Sequence, residues 1–334
     1  MWVLFCVKLI RYILSLLYGV GVFVRNMLYD GHLYYTYTPS VSTICVGNIA
    51  VGGTGKTPFV EYIVSLLHRK GVKVAVLSRG YGRKTSGFIL ATSAATTDTI
   101  GDEPKQISAK FPDVPLAVCE DRVKGIKRLT KLYPDTEVIV LDDAFQHRRV
   151  KCGYNILLTQ ADRLYPDDHL LPYGRLREHK HAAIRADVVC VTKCTDDIKP
   201  VEKRVIANKL TLLPCQDLYF SWQIYHNLPQ SRCYLITGIA QPQYIIDKLG
   251  DKVIDKLIFN DHHRFRKKDF RLMEKTFSGD YPICTTEKDY YRLLDSPYMT
   301  ENIRNRLHVV SIEVDLRQEK EIFEKKLFRY LSKF

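Results

Sequence analysis

A chain of 334 residues with 46% apolar and 26% charged residues is neither disordered nor fibrous, and it is long enough for one large domain or two modest ones. Its formal charge of +13 selects for anionic partners (nucleic acid, anionic lipid or a phosphorylated substrate) and decides nothing about fold. Nine scattered cysteines exclude a paired disulfide scaffold and are expected as free thiols; only Cys190 and Cys194 are close in sequence, and no second pair matches them at zinc-finger spacing.

The first element, "MWVLFCVKLIRYILSLLYGVGVFVRN", is strongly apolar. Its longest uncharged run, Tyr12 to Val24, falls short of the ~20 residues needed to span a bilayer. Wound as a helix, it gathers Lys8, Arg11, Ser15 and Gly19 on one narrow stripe at three- and four-residue steps. The remaining surface is greasy, so such a helix packs on protein or lies in an interface. The basic charge around it favours an anionic membrane surface, and residues 1–30 are assigned as a membrane-associating helix.

A linker, "GHLYYTYTPS", leads to the strand "VSTICVGN" and then to "NIAVGGTGKTP" at Asn48 to Pro58. The helix "PFVEYIVSLLHRKG" follows, with Val60, Ile63, Val64 and Leu67 on its apolar face. The strands "VKVAVLS", "EVIVLDD", "YNILLTQ" and "ADVVCVTK" are continuous apolar runs, the pattern of strands buried on both faces. Helical stretches such as "GIKRLTKLYPDT" alternate with them, which predicts an α/β fold with a mostly parallel sheet flanked by helices. A second set of elements begins after residue 225 with "SRCYLITGIA" and continues through "KVIDKLIF", "YPICTTEKD" and "LHVVSIEVDL" to a charged amphipathic helix. This gives a nucleotide-binding domain over 31–225 and a smaller α/β domain over 226–334 that completes the active-site cleft.

The loop at 48–58 departs from the usual phosphate-binding pattern by carrying Ala50 in place of its first glycine. The strand before it and the helix after it still suit a phosphate grip. Gly52, Gly53 and Gly55 free the backbone to approach phosphate, and the helix N-terminus adds its dipole. Asn48, Gly52, Gly53, Thr54, Gly55, Lys56 and Thr57 are thus the expected nucleotide contacts, with Lys56 on the β- and γ-phosphates and Thr57 on Mg²⁺. Asp142 and Asp143 end a buried strand, where a carboxylate can support that Mg²⁺. Two readings of Asp102 in "GDEP" follow from the residues: a base for an acceptor hydroxyl, or a cap for the helix starting at Pro104. Arg175 and Arg177 can grip phosphate or sit solvated, and Arg79 and Tyr81 can face a site or simply pack. "VTKCTD" resembles a guanine-reading loop with one residue too many, so adenine is expected.

Taken in order, "VGNIAVGGTGKTP", "SRGYGRK", "GDEP", "LDDAFQHR", "LLPYGRLRE", "VTK", "TGIAQP", "FNDHH" and "TTEKD" resemble the tetraacyldisaccharide 4'-kinase family of lipid A synthesis, over about Val46 to Asp289. Ala144 stands where the family pattern has glycine, and His179 where it has proline. The resemblance implies a P-loop NTPase fold with a smaller second domain. It implies transfer of phosphate from ATP, with Mg²⁺, to the 4'-hydroxyl of a lipid A disaccharide 1-phosphate. It also implies a peripheral position at the cytoplasmic face of a Gram-negative inner membrane, with neither nucleic acid nor an obligate protein partner. By the same resemblance Asp102 is the base, His262 supports it, and Glu178 joins Thr57, Asp142 and Asp143 around the metal. If His262 acts with Asp102, the site is expected between the two domains. A P-loop switch or chaperone without a lipid acceptor needs the same loop and acids but neither Asp102 nor His262. A nucleic-acid-binding ATPase would need a basic base-reading helix, and the charge here is dispersed.

Overall fold

The computed structural model describes residues 2–332, with side chains described from residue 6 onward. In chain order the strands are β1 (Ser42–Gly47), β2 (Val74–Ser78), β3 (Ile89–Leu90), β4 (Leu116–Val118), β5 (Val138–Asp142), β6 (Tyr154–Gln160), β7 (Val188–Thr192), β8 (Asp217–Phe220), β9 (Trp222–His226), β10 (Cys233–Thr237), β11 (Val253–Ile258), β12 (Ile283–Thr286) and β13 (Leu307–Asp315). The α-helices are α1 (Trp2–Asp30), α2 (Lys56–Arg69), α3 (Thr97–Ile100), α4 (Asp102–Lys110), α5 (Arg122–Leu132), α6 (Pro200–Leu210), α7 (Gln243–Leu249), α8 (Lys267–Thr276), α9 (Glu287–Leu294), α10 (Glu301–Arg306) and α11 (Lys320–Leu331). The chain forms two compact units that interleave: residues 2–79, 121–223 and 314–332 make the first, and 80–120 with 224–313 make the second.

In the first unit the strands run β2-β5-β1-β6-β7-β8, every neighbouring pair parallel. Strands β1, β2, β5 and β7 are buried along their whole length, as their unbroken apolar runs predict. In register, Val46 of β1 lies beside Asp142 of β5, so the loop leaving β1 starts next to the acidic end of β5. Ligands collect at such carboxyl ends in open parallel sheets. Helix α2 covers the sheet with Phe59, Val60, Ile63, Val64 and Leu67, all fully buried.

Two stretches depart from a division at residue 225. Residues 80–120 join the second unit, and α11 returns to the first. The cause in α11 is its apolar stripe. Phe323 is fully buried, edge-on to Phe59 at 6.1 Å and to Tyr219 at 5.2 Å between ring centroids. Tyr330 stacks on Tyr154 at 5.0 Å and donates to the Thr43 carbonyl at 3.2 Å.

The second unit has its own sheet, β11-β10-β12-β13-β9, parallel from β11 through β13. The segment 80–120 adds α3, α4 and the antiparallel pair β3–β4, with α4 against α9. Its core gathers Ile236, Phe265, Phe270, Met273, Phe277, Ile283 and Leu293.

Candidate active site

The loop after β1 enters α2 through two glycines at positive φ. Gly55 is the N-cap of α2 in the left-handed region at φ 81°, and Gly52 takes φ 112°. A side chain at either position would be strained, which is why glycine occurs there. Gly53 is not among the residues with positive φ, so its backbone makes no such demand. Ala50 pairs with Leu176 as an isolated antiparallel bridge, an extended conformation that any small residue adopts. The missing glycine therefore costs the loop nothing. Asn48 is fully buried, and its side-chain amide donates to the Thr54 hydroxyl at 2.8 Å. Lys56 and Thr57 begin α2, both largely buried, at the positive end of the helix.

Asp142 is 1% exposed and accepts from the Ser78 hydroxyl at 2.8 Å. Its backbone carbonyl accepts from Arg122 at 3.2 Å. Burial holds Arg122 below the usual guanidinium range, against the opposing pull of Asp142 and Asp143. Asp143, at φ 46°, lies 3.8 Å from Lys56 Nζ and takes Arg177 Nη1 on both oxygens, at 3.0 and 3.1 Å. The hydroxyl of Thr57 and these two carboxylates are hard oxygen donors suited to Mg²⁺. Among the described residues no cluster of three His, Cys, Asp or Glu side chains could hold a metal.

Glu178, expected near the metal, is 1% exposed; Arg185 bonds its Oε2 and Arg25 Nη1 lies 3.8 Å from its Oε1. Arg175 is held by Asp168 at 3.0 Å and reaches toward Gly52. Arg79 is exposed at the end of β2. His179, where the family pattern has proline, caps the short helix Lys180–Arg185 by accepting from the His181 amide at 3.3 Å.

The second group of predicted residues meets inside the second unit. Asp102 is the first residue of α4; its N-cap is Gly101, at φ 94°. A Cβ on Gly101 would come within 2.8 Å of the Tyr81 carbonyl, so only glycine fits. Asp102 is therefore not the cap. Its Oδ2 lies 2.9 Å from His262 Nδ1 and 3.5 Å from Arg292 Nε. His262, at φ 56°, also carries the Tyr81 ring at a centroid distance of 5.3 Å. Because both members of the pair belong to one unit, the expectation that it forms between two domains is corrected. His263 turns the other way, to Asp269 Oδ2 at 2.9 Å, and stacks on Phe259. Adjacent histidines pointing apart cannot share a metal.

Sequence reasoning missed what holds Asp102. Asp289 is fully buried; its Oδ2 accepts from the Thr237 hydroxyl at 3.1 Å, the Gly238 amide at 3.0 Å and the Thr286 hydroxyl at 2.8 Å. Its Oδ1 takes Arg292 Nη2, which also donates to the Gly238 carbonyl at 2.9 Å. The stretches "TGIAQP" and "TTEKD" thus meet to fix one arginine against Asp102. Beside it, Lys288 Nζ bonds Glu103 at 2.6 Å. Burial works against the Lys288 charge, but Glu103, Asp261 and Asp102 more than offset it and leave its pKa raised.

Known proteins are similar to this chain over nearly its whole length. The family described as LpxK, Tetraacyldisaccharide-1-P 4'-kinase, matches residues 7–332. A tetraacyldisaccharide 4'-kinase of Bacteroides fragilis is 46% identical over 92% of this chain and 88% of its own length. One from Phocaeicola vulgatus is 43% identical over 96% and 94%. The crystal structure of LpxK from Aquifex aeolicus in complex with ATP superposes with a TM-score of 0.76 at 26% identity, covering 97% of this chain and 99% of that one. Matched over nearly its whole length and up to 46% identical to curated relatives, the chain belongs to the tetraacyldisaccharide-1-P 4'-kinase family.

Proposed function

We propose that the protein transfers the γ-phosphate of ATP, with Mg²⁺, to the 4'-hydroxyl of a tetraacyldisaccharide 1-phosphate, a lipid A precursor, giving lipid IVA. The donor is held by Asn48 and the 52–57 loop, with Lys56 on the β- and γ-phosphates. Mg²⁺, held by Thr57 with Asp142 and Asp143 and supported by Glu178, supplies charge neutralisation at the phosphates. The acceptor hydroxyl loses its proton to Asp102 as the new bond forms, because a sugar hydroxyl is a poor nucleophile while protonated. His262 Nδ1, on the same carboxylate, orients it and shares the incoming charge. The 2.9 Å contact between Asp102 and His262 carries this reading, since a switch ATPase with water as acceptor needs no such pair.

The α1 helix supports a peripheral location on an anionic membrane. Its outward side exposes Leu9, Ile13, Leu16, Leu17, Val20 and Phe23. It is long and apolar enough to cross a bilayer by length and composition. Contacts from Arg11, Ser15, Tyr18 and Arg25 nevertheless tie one stripe of it to the first unit. A helix greasy on one side and docked on the other lies in the interface. The decisive experiment incubates the purified protein with ATP, Mg²⁺ and the disaccharide 1-phosphate and weighs the product. One added phosphate on the lipid is expected; nucleotide hydrolysis without a phosphorylated lipid would refute the proposal.

A further inference from the structure

The polar stripe on α1 faces the first unit and extends beyond the positions legible in the sequence. The Arg11 guanidinium donates to the Pro172 carbonyl at 2.9 and 2.6 Å, and the Ser15 hydroxyl to that of Leu170 at 2.9 Å. A Cβ on Gly19 would sit 2.9 Å from Leu170 Cδ1, so glycine lets the helix approach. One turn after Ser15, the Tyr18 hydroxyl donates to the Arg177 carbonyl at 2.7 Å. Further along, Arg25 donates to the Gln146 carbonyl at 2.6 Å.

Two of the residues it grips, Arg177 and Gln146, also hold the phosphate loop. The Arg177 amide donates to the Ile49 carbonyl at 2.7 Å, and the Val51 amide to that of Arg175 at 2.8 Å. The Gln146 side chain donates to the Asn48 carbonyl at 2.7 Å, and Asn48 in turn to the Thr54 hydroxyl at 2.8 Å. Arg177 also clamps Asp143, the partner of Lys56. Each route from α1 to the loop passes through a single intervening residue, Arg177 or Gln146.

A membrane anchor needs apolar surface, which α1 presents on its other side; it needs none of these bonds. The hydrogen bonds from Arg11, Ser15, Tyr18 and Arg25 end on backbone carbonyls, so they set the path of the segments, and Arg25 also faces the Glu178 carboxylate at 3.8 Å. We infer that α1 is a positioning element of the nucleotide site, with Tyr18 and Arg25 as positioning residues that hold Arg177 and Gln146, and through them the 48–54 loop. The helix seated at the lipid surface and the loop that grips ATP are thereby one mechanical piece. The inference rests on the reading of 48–57 as the ATP loop.

The test uses full-length protein in detergent micelles, a fluorescent ATP analogue with Mg²⁺, and no lipid acceptor. Tyr18→Phe removes one hydroxyl, and Arg25→Gln removes the guanidinium. Each is expected to weaken nucleotide binding ~3–10-fold, the size of one or two lost hydrogen bonds. In nucleotide-free protein the amides of 48–54 should exchange faster with solvent, while the thermal midpoint stays near that of the wild type. Arg25→Lys should recover part of the affinity. Affinity and exchange matching the wild type in both variants would overturn the inference. Should Arg25→Gln fail to fold, Tyr18→Phe, which keeps the ring, decides alone. A wild-type protein that binds nucleotide but phosphorylates no disaccharide would sink the kinase reading and leave this inference standing.

Discussion

The two units solve the same problem, holding charge where a reaction needs it, by opposite means. In the first, the proposed grip is one continuous stretch from Asn48 to Thr57, and the charge it would meet arrives with the ligand. In the second, Asp102 is held by groups far apart in sequence: His262, then Arg292, then Asp289 anchored to Thr237, Gly238 and Thr286. A local device tolerates change at its margins, as Ala50 shows. A device built from distant buried charges depends on every partner, because a buried ion stripped of its counterion is costly.

The largest expected effect separates binding from chemistry. Asp102→Asn should lower phosphoryl transfer by ~10²–10⁴-fold with nucleotide affinity unchanged, since only base catalysis is lost. Turnover of the lipid acceptor at the wild-type rate would remove Asp102 from the mechanism. Next comes the exposed side of α1. Leu17→Gln with Phe23→Gln should cut partition into anionic vesicles by about two orders of magnitude, from the loss of two buried apolar side chains. Sedimentation with vesicles at the wild-type level would rule out that surface as the contact. Arg292→Met strands the fully buried Asp289 carboxylate and should cost about 3–5 kcal/mol in chemical denaturation. A loss as small as that of a surface substitution would break the contrast between the units.

The smallest effect follows acidity. Burial first, then the Arg122 charge, holds His147 at a pKa of about 4, below the ordinary 6.5. Between these values the unfolded chain binds a proton that the folded one refuses. His147 therefore contributes stability above about pH 6.5 that is lost as pH falls toward 4. The denaturation midpoint should drop between pH 7 and pH 5, and His147→Gln should flatten that drop. An unchanged slope in the variant would place the acid sensitivity elsewhere.

What the sequence made legible tracks how local each feature is. The glycine cradle and the acidic end of β5 were visible because strand, loop and helix follow one another and their residue types have few other uses. The pair of Asp102 and His262 spans 160 residues, and the family resemblance, not spacing, brought its members together. Arg292 was invisible: it follows a quoted motif by one turn on an amphipathic helix, where arginine usually faces water. Gln146 and Arg122 were missed for the same reason, since each acts through a backbone carbonyl that no residue type announces. The return of α11 depends on a cover for Phe323 and Tyr330 that the folded β1–β8 region supplies.

That return sets an order of events during synthesis. At ~5–20 residues per second, α1 leaves the ribosome on the order of ten seconds before the 170–177 segment that receives its polar stripe. Through that interval its polar stripe lacks the backbone carbonyls it docks on in the fold. The first unit then waits longer still, because α11 emerges after the whole second unit and carries the aromatic side chains that close its floor. The first unit is thus completed only after the second has been synthesised.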